Sequence, residues 1–173
     1  NEVVFHQRVH GGKRGSVANR IASADREQAW VENDKHIFAR IYKEFPLLAY
    51  LPVGADLAPR RREAHLQRGV IMARKKLWGL ALDEFQAACR VSDADLSQRE
   101  RTVVRRALAS KYGCKEIADD AKLRKRINAL ARSSNAGKSI AEALARGLVW
   151  RIRAALQLGK LSEATKYTSL VVR

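Results

Sequence analysis

The side chains that could carry out catalysis or bind a metal are few in this 173-residue sequence. His6 and His10 stand four residues apart, as helical metal ligands do, but no acidic or thiol neighbour would complete the site. His36 and His65 are isolated, and we expect them to pack or to face solvent. No arrangement of Ser, His and Asp, or of Cys with His, indicates a nucleophile with its base. The sequence therefore predicts a protein that is not an enzyme and has no metal, cofactor or small-molecule substrate.

One short motif resembles part of a nucleotide site. Gly137, Lys138 and Ser139 match the end of a phosphate-binding loop, which also needs a glycine five residues earlier and a strand before it. Arg132 occupies the glycine position, and a helical pattern precedes it. We therefore expect Ser139 to cap a helix, with Glu142 completing the capping box.

Positive charge is the most informative property of the sequence. The chain has 34 Lys and Arg against 18 Asp and Glu, a net charge of +16, which favours a polyanionic or acidic partner. The excess is densest over residues 99–132, where eleven Lys or Arg stand against four Asp or Glu. Phosphate contacts need many flexible cations close together. The alternative is a solvated helix face with no partner. We predict that eight cations bind a nucleic acid or another anionic partner: Lys13, Arg14, Arg101, Arg105, Lys122, Arg124, Lys125 and Arg126.

About seven helices must position these residues. Apolar residues recur at helical intervals throughout, and no segment shows sustained two-residue alternation. The predicted helices are residues 25–45, one beginning at 59, 77–91, 97–113, 115–132, 139–159 and 162–171. The predicted fold class is all-α, with about seven helices packed as antiparallel hairpins. Residues 1–20 form a basic N-terminal arm, and residues 21–173 form a single helical domain.

The middle of the chain contains a capping box and a segment that resembles part of a DNA-binding motif. Ser97 and Glu100 have capping-box spacing at the start of the fourth helix. Residues 96–101, taken with 115–118, resemble the opening of the helix-turn-helix in a large class of bacterial response regulators. That resemblance implies DNA binding as a minor alternative. A tight turn follows in that family, whereas here we expect Asp119 and Asp120 to prolong the helix.

Two segments carry small and aromatic residues at helix-packing intervals. They are Gly69, Met72, Trp78, Ala81, Phe85 and Ala88 in one segment, and Gly159, Leu161, Ala164, Tyr167 and Leu170 in the other. This pattern resembles tetratricopeptide and pentatricopeptide repeats, which implies a short stack of helix pairs used for binding. Ordinary small-residue helix packing is the alternative. We predict five helix-packing residues: Ala81, Phe85, Ala88, Gly159 and Ala164.

Several features favour a mitochondrial protein on the matrix side. The chain begins at Asn1, and its first twenty residues are cationic and rich in glycine, as expected after removal of a targeting peptide. Cys89 and Cys114 lack the paired spacing of a zinc site and predict reduced thiols. No apolar stretch approaches the roughly 20 residues that cross a bilayer, so we expect no membrane span.

Two functions follow as hypotheses, both for a non-enzymatic subunit of a large assembly. The first is a structural protein of the mitochondrial ribosome or a similar particle, whose basic surface docks on ribosomal RNA. The second is an accessory subunit of a mitochondrial energy-converting complex, held by protein contacts that involve Trp150 and Tyr167. In size and in its pentatricopeptide-like segments, the chain resembles the helical-repeat accessory subunit associated with the α subunit of euglenozoan ATP synthase. Under this hypothesis the apolar C-terminal helices and the aromatic residues matter more than the charge.

Overall fold

The computed structural model describes residues 23–109 and 115–171. Within these ranges the chain forms eight α-helices and one 3-10 turn, with no strand. Seven of the helices have eleven or more residues. The predicted all-α class, with about seven helices, is therefore confirmed. In chain order the helices are α1 (Ser23–Glu44), α2 (Leu57–Arg74), α3 (Trp78–Val91), α4 (Gln98–Ala109), α5 (Lys115–Asp119), α6 (Ala121–Ser133), α7 (Asn135–Gln157) and α8 (Leu161–Val171).

The core forms where helix α7 meets α4, α6 and α8, and where α2 meets α3 and α4. Each of these helices buries one apolar stripe. Burial of a large apolar side chain contributes about 1.5–3 kcal/mol, so these contacts hold the helices together. The largest fully buried side chains are Trp78, Phe85, Leu66, Met72, Leu108, Ile140 and Val104.

Glycines allow the closest approaches between helices. A Cβ atom added at Gly147 of α7 would lie 2.8 Å from the carbonyl oxygen of Arg105 on α4. One added at Gly137 would lie only 2.0 Å from the carbonyl oxygen of Leu130 on α6. Both distances are too short for a real methyl group, so the backbones of α4 and α6 lie directly against α7.

The predicted helix-packing residues have two different environments. Ala81, Phe85, Ala88 and Ala164 are all buried in the core. Gly159 is exposed and has no heavy atom within 4 Å of an added Cβ, so the prediction that it packs between helices is wrong. Its φ of +68° lies in the left-handed region that favours glycine, and it ends α7.

Three of the predicted helix boundaries can be compared with the structure. The Ser97 capping box forms: its N–H donates to Glu100 Oε2 at 2.8 Å, and its Oγ accepts from the Glu100 N–H at 3.3 Å. Asp120 divides the predicted helix 115–132, because its side chain accepts backbone N–H bonds and caps α6. Helix α7 begins at Asn135 under the cap Ser134, so Ser139 is not its cap.

Helix α1 is attached to the body mainly through its side chains. The Tyr42 hydroxyl donates to Glu84 on α3 at 2.8 Å, and the Lys35 ammonium lies 3.2 Å from Glu116 on α5. Lys75 of the α2–α3 connection forms an ion pair with Asp34 and lies over the Phe38 ring. None of the helices in residues 23–109 and 115–171 is both long and apolar enough to cross a bilayer.

Candidate nucleic-acid interface

The predicted cations Lys13 and Arg14 lie outside the described residues. Arg101 is used inside the protein: its Nε donates to the Leu96 carbonyl at 2.8 Å, and a terminal nitrogen donates to Ser139 Oγ at 3.1 Å. A third contact, at 3.5 Å, pairs it with Glu142 of α7. Arg101 therefore links α4 to α7, and each of its three guanidinium nitrogens has a contact within the protein. That it also binds an anionic partner stays a prediction.

Of the four predicted cations on α6, two have partners within the protein and two are exposed to solvent. Arg126 lies 2.6 Å from Asp83 of α3, and Arg124 is half-buried and has a partner. Lys122 and Lys125 are exposed on the outer side of the helix. Helices α4 and α6 both pack mainly on α7. Two of the predicted cations, Arg101 and Arg126, form ion pairs within the protein.

A compact cationic surface lies instead where α4 meets the outer side of α7. We call Arg105, Arg146, Trp150 and Arg153 the arginine–tryptophan surface. The guanidinium carbon of Arg105 lies 4.7 Å from the centre of the Trp150 ring, at cation–π distance. Arg146 and Arg153 are exposed four residues before and three residues after Trp150, and such spacings place side chains on one helix face.

The buried side of α7 determines this arrangement. Its inward positions, including Ile140, Leu144 and Leu148, are filled by the core. The outward positions are therefore left to Arg146, Trp150 and Arg153, since side chains three or four residues apart share a face. On α4, burial of Val104, Ala107 and Leu108 leaves Arg105 at the edge that meets α7.

The described acidic side chains have partners other than the three arginines of this surface. From Glu32 to Glu163, each Asp and Glu side chain that the structure describes forms an ion pair or accepts a hydrogen bond, including those that cap helices. The exposed cations that pair with no described acidic side chain are Lys43, Arg61, Arg74, Arg90, Arg106, Lys122, Lys125, Arg132, Lys138, Arg146, Arg153 and Lys160. The excess charge is thus displayed to the surroundings.

One buried cluster has residue types that also occur in catalytic sites, but here they bind one another. Glu84 is 3% exposed and accepts three hydrogen bonds, each 2.8 Å long, from Tyr42, His65 and Arg68. Burial alone would raise the pKa of Glu84, but these three bonds outweigh burial and hold it below its usual value. Burial and the bond to Glu84 raise the pKa of Tyr42 to about 12. The cluster joins α1, α2 and α3. His65 is therefore a hydrogen-bond partner of Glu84 and not an isolated residue.

No known protein family, curated protein or solved structure matches this chain. Its function must therefore be argued from the surface itself. In the described part of the chain, no group of three His, Cys, Asp or Glu side chains is placed to hold a metal ion.

The residues of this surface form a pattern in the sequence that a search for the densest positive charge overlooks. Arg146, Trp150 and Arg153 follow one face of the longest helix, and only one acid, Glu142, lies within the turn before them. Residues 99–132 have more cations, but several of those cations pair within the protein.

Proposed function

We propose that this protein is a non-enzymatic structural subunit that binds RNA through the arginine–tryptophan surface. The observation that carries the proposal is the grouping of Arg105, Arg146 and Arg153 around a half-exposed tryptophan, with the acidic residues engaged elsewhere. Cations that remain exposed in this way bind polyanions by displacing condensed counterions. A matrix-side protein of the mitochondrial ribosome, docked on ribosomal RNA, is the specific role that we propose.

The net charge supports an RNA partner more than a single acidic protein. At +16 the chain attracts any extended polyanion, and a second cationic strip on α6, formed by Lys122, Lys125 and Arg132, gives a further contact line. Contacts of this kind position a protein on a nucleic acid without reading its sequence. The proposal is therefore for docking and scaffolding.

The salt dependence of RNA binding tests the proposal. We would replace Arg146 and Arg153 by Gln in the full chain and measure binding to a labelled RNA by fluorescence anisotropy over a salt series. The slope of log K against log salt should fall by about 1.4 to 1.8, since each phosphate contact contributes about 0.7 to 0.9.

The matched control removes the same charge elsewhere. Lys43 and Arg74 are exposed, pair with no described acid and lie on α1 and α2. Their double replacement by Gln should leave the slope closer to that of the unchanged chain. Equal losses in the two double variants, or an affinity that does not depend on salt, would contradict the proposed surface.

A second candidate function is an accessory subunit of the ATP synthase or another respiratory complex, held by protein contacts. An apolar groove of about 440 Å³ between α7 and α8 favours it. Leu156 and Leu161 line this groove with 51% and 68% of their surface exposed. The hydroxyls of Thr165 and Thr168 donate to carbonyls of their own helix, so the groove is lined largely by methyl groups.

Such a groove fits the apolar side of a partner helix. Of the two aromatic residues that this hypothesis emphasises, Tyr167 is buried and Trp150 is exposed. Replacement of both Leu156 and Leu161 by Ser separates the two functions. If protein contacts hold the chain in its complex, this variant should dissociate from the nuclease-treated native complex, and the Arg146 and Arg153 variant should remain bound.

A further inference from the structure

We infer that the RNA bound at the arginine–tryptophan surface is single-stranded, with one base stacked on Trp150 and the neighbouring phosphates on Arg146 and Arg153. This inference rests on the proposed function and adds to it the class of RNA and the role of each side chain. It depends on the placement of one aromatic ring.

Trp150 is an apolar ring that the fold leaves accessible. It is 53% exposed on α7, whereas Trp78 is buried in the core of the same protein. The guanidinium of Arg105 lies over the ring at 4.7 Å and restricts its orientation. The residue stays about half exposed with Arg105 in this position, so part of its surface is open to a partner. An accessible aromatic face between cations is the arrangement on which single-stranded nucleic acids stack their bases.

The spacing of the two flanking arginines suits a single RNA strand that runs along the axis of α7. Arg146 and Arg153 are seven residues apart, a separation of about 10 Å along a helix that rises 1.5 Å per residue. Each is exposed and forms no ion pair with a described acid. Their flexible side chains can therefore bind the phosphates on the two sides of the stacked base.

A duplex fits this surface less well. Bases inside a duplex stack on one another, so a protruding tryptophan finds no free base face. Duplex RNA would still be attracted by the arginines, because that attraction depends on phosphate charge alone. The inference therefore predicts that Trp150 contributes to single-strand binding and adds little to duplex binding.

The experiment compares Trp150→Ala with Trp150→Phe and with Trp30→Ala, an exposed tryptophan on α1. The full chain would be titrated into a short labelled U-rich RNA and into a duplex of the same length. We expect Trp150→Ala to weaken single-strand binding by about 5- to 150-fold, as loss of one stacked base does. Trp150→Phe should retain part of the affinity, and Trp30→Ala should change nothing.

The salt dependence of the affinity distinguishes base stacking from electrostatic attraction. The salt slope of Trp150→Ala should equal that of the unchanged chain, because no cation has been removed. An unchanged duplex affinity would also show that the variant is folded. If it is not folded, fluorescence quenching in a Trp30→Phe background tests the same contact. Two tryptophans then remain, and Trp78 is buried in the core, so quenching by U-rich RNA but not by an abasic strand reports on Trp150.

The inference is overturned if Trp150→Ala binds single strands as tightly as the unchanged chain, or loses duplex and single-strand binding equally while folded. It is also overturned if the abasic strand quenches as strongly as the U-rich RNA. In these cases RNA binding with its normal salt slope would leave the proposed function standing. Failure of the unchanged chain to bind any RNA would remove both.

Discussion

Replacement of Glu84 by leucine should be among the most destabilising single changes in this protein. The carboxylate is 3% exposed and receives three hydrogen bonds of 2.8 Å, from Tyr42, His65 and Arg68. Leucine would leave the largely buried Arg68 guanidinium without its counter-ion. Breaking a buried ion pair from one side costs about 3–5 kcal/mol. A typical domain has about 5–15 kcal/mol of stability in total, so the variant should be close to unfolding.

Urea unfolding, followed by far-ultraviolet circular dichroism, measures this loss. Asp83 is the matched control: it is the neighbouring acid on α3, it pairs with Arg126, and its side chain is 55% exposed. Asp83→Leu should cost less than about 1 kcal/mol, because exposed ion pairs contribute little. A loss below about 1 kcal/mol for Glu84→Leu would refute the reasoning.

A double variant tests the physical cause. Arg68→Met together with Glu84→Leu removes both charges, so no uncompensated guanidinium remains and much of the lost stability should return. If the double variant loses as much as the two single variants combined, the cost lies in packing rather than in the buried charge.

The pH dependence follows from the lowered pKa of Glu84. A carboxyl group whose folded pKa lies below its unfolded value of about 4.3 stabilises the protein above that pH. This contribution is lost as the pH falls through the folded pKa. As the pH falls below the unfolded value, the unchanged protein should therefore lose more stability than Glu84→Leu. Parallel pH dependence in the two proteins would show that Glu84 does not titrate as described.

Four further changes have expected outcomes that urea unfolding can check. Gly137→Ala should cost about 3 kcal/mol or more, because its Cβ would lie 2.0 Å from the carbonyl oxygen of Leu130; a neutral result would contradict that close approach. Gly79→Ala, where the nearest heavy atom is 4.0 Å away, should instead stabilise by up to about 1 kcal/mol. Ser97→Ala should cost about 1 kcal/mol through loss of the cap, and no loss would argue against the capping box. The pKa of Tyr42 is raised to about 12, so stability should fall between roughly pH 10 and pH 12, and Tyr42→Phe should reduce that fall.

The sequence alone determined the fold class and most of the helices, because both depend on local signals. Periodic apolar residues placed α3 and α8 to within one residue, and the Ser97 and Glu100 pair marked the start of α4. Buried Ala81, Phe85 and Ala88 follow from the same periodicity. These features need only the spacing of neighbours in the chain. The resemblance to helical repeats and the mitochondrial location remain predictions.

Only the tertiary structure decided which polar side chains are available. Arg101 and Arg146 look alike in the sequence, but Ser139 and Glu142 engage Arg101 from another helix and leave Arg146 exposed. Likewise, His65 meets Glu84 across nineteen positions of sequence. Whether a cation faces solvent or a carboxylate depends on how neighbouring helices are rotated against one another. That rotation is set by packing across the core, which local spacing does not encode.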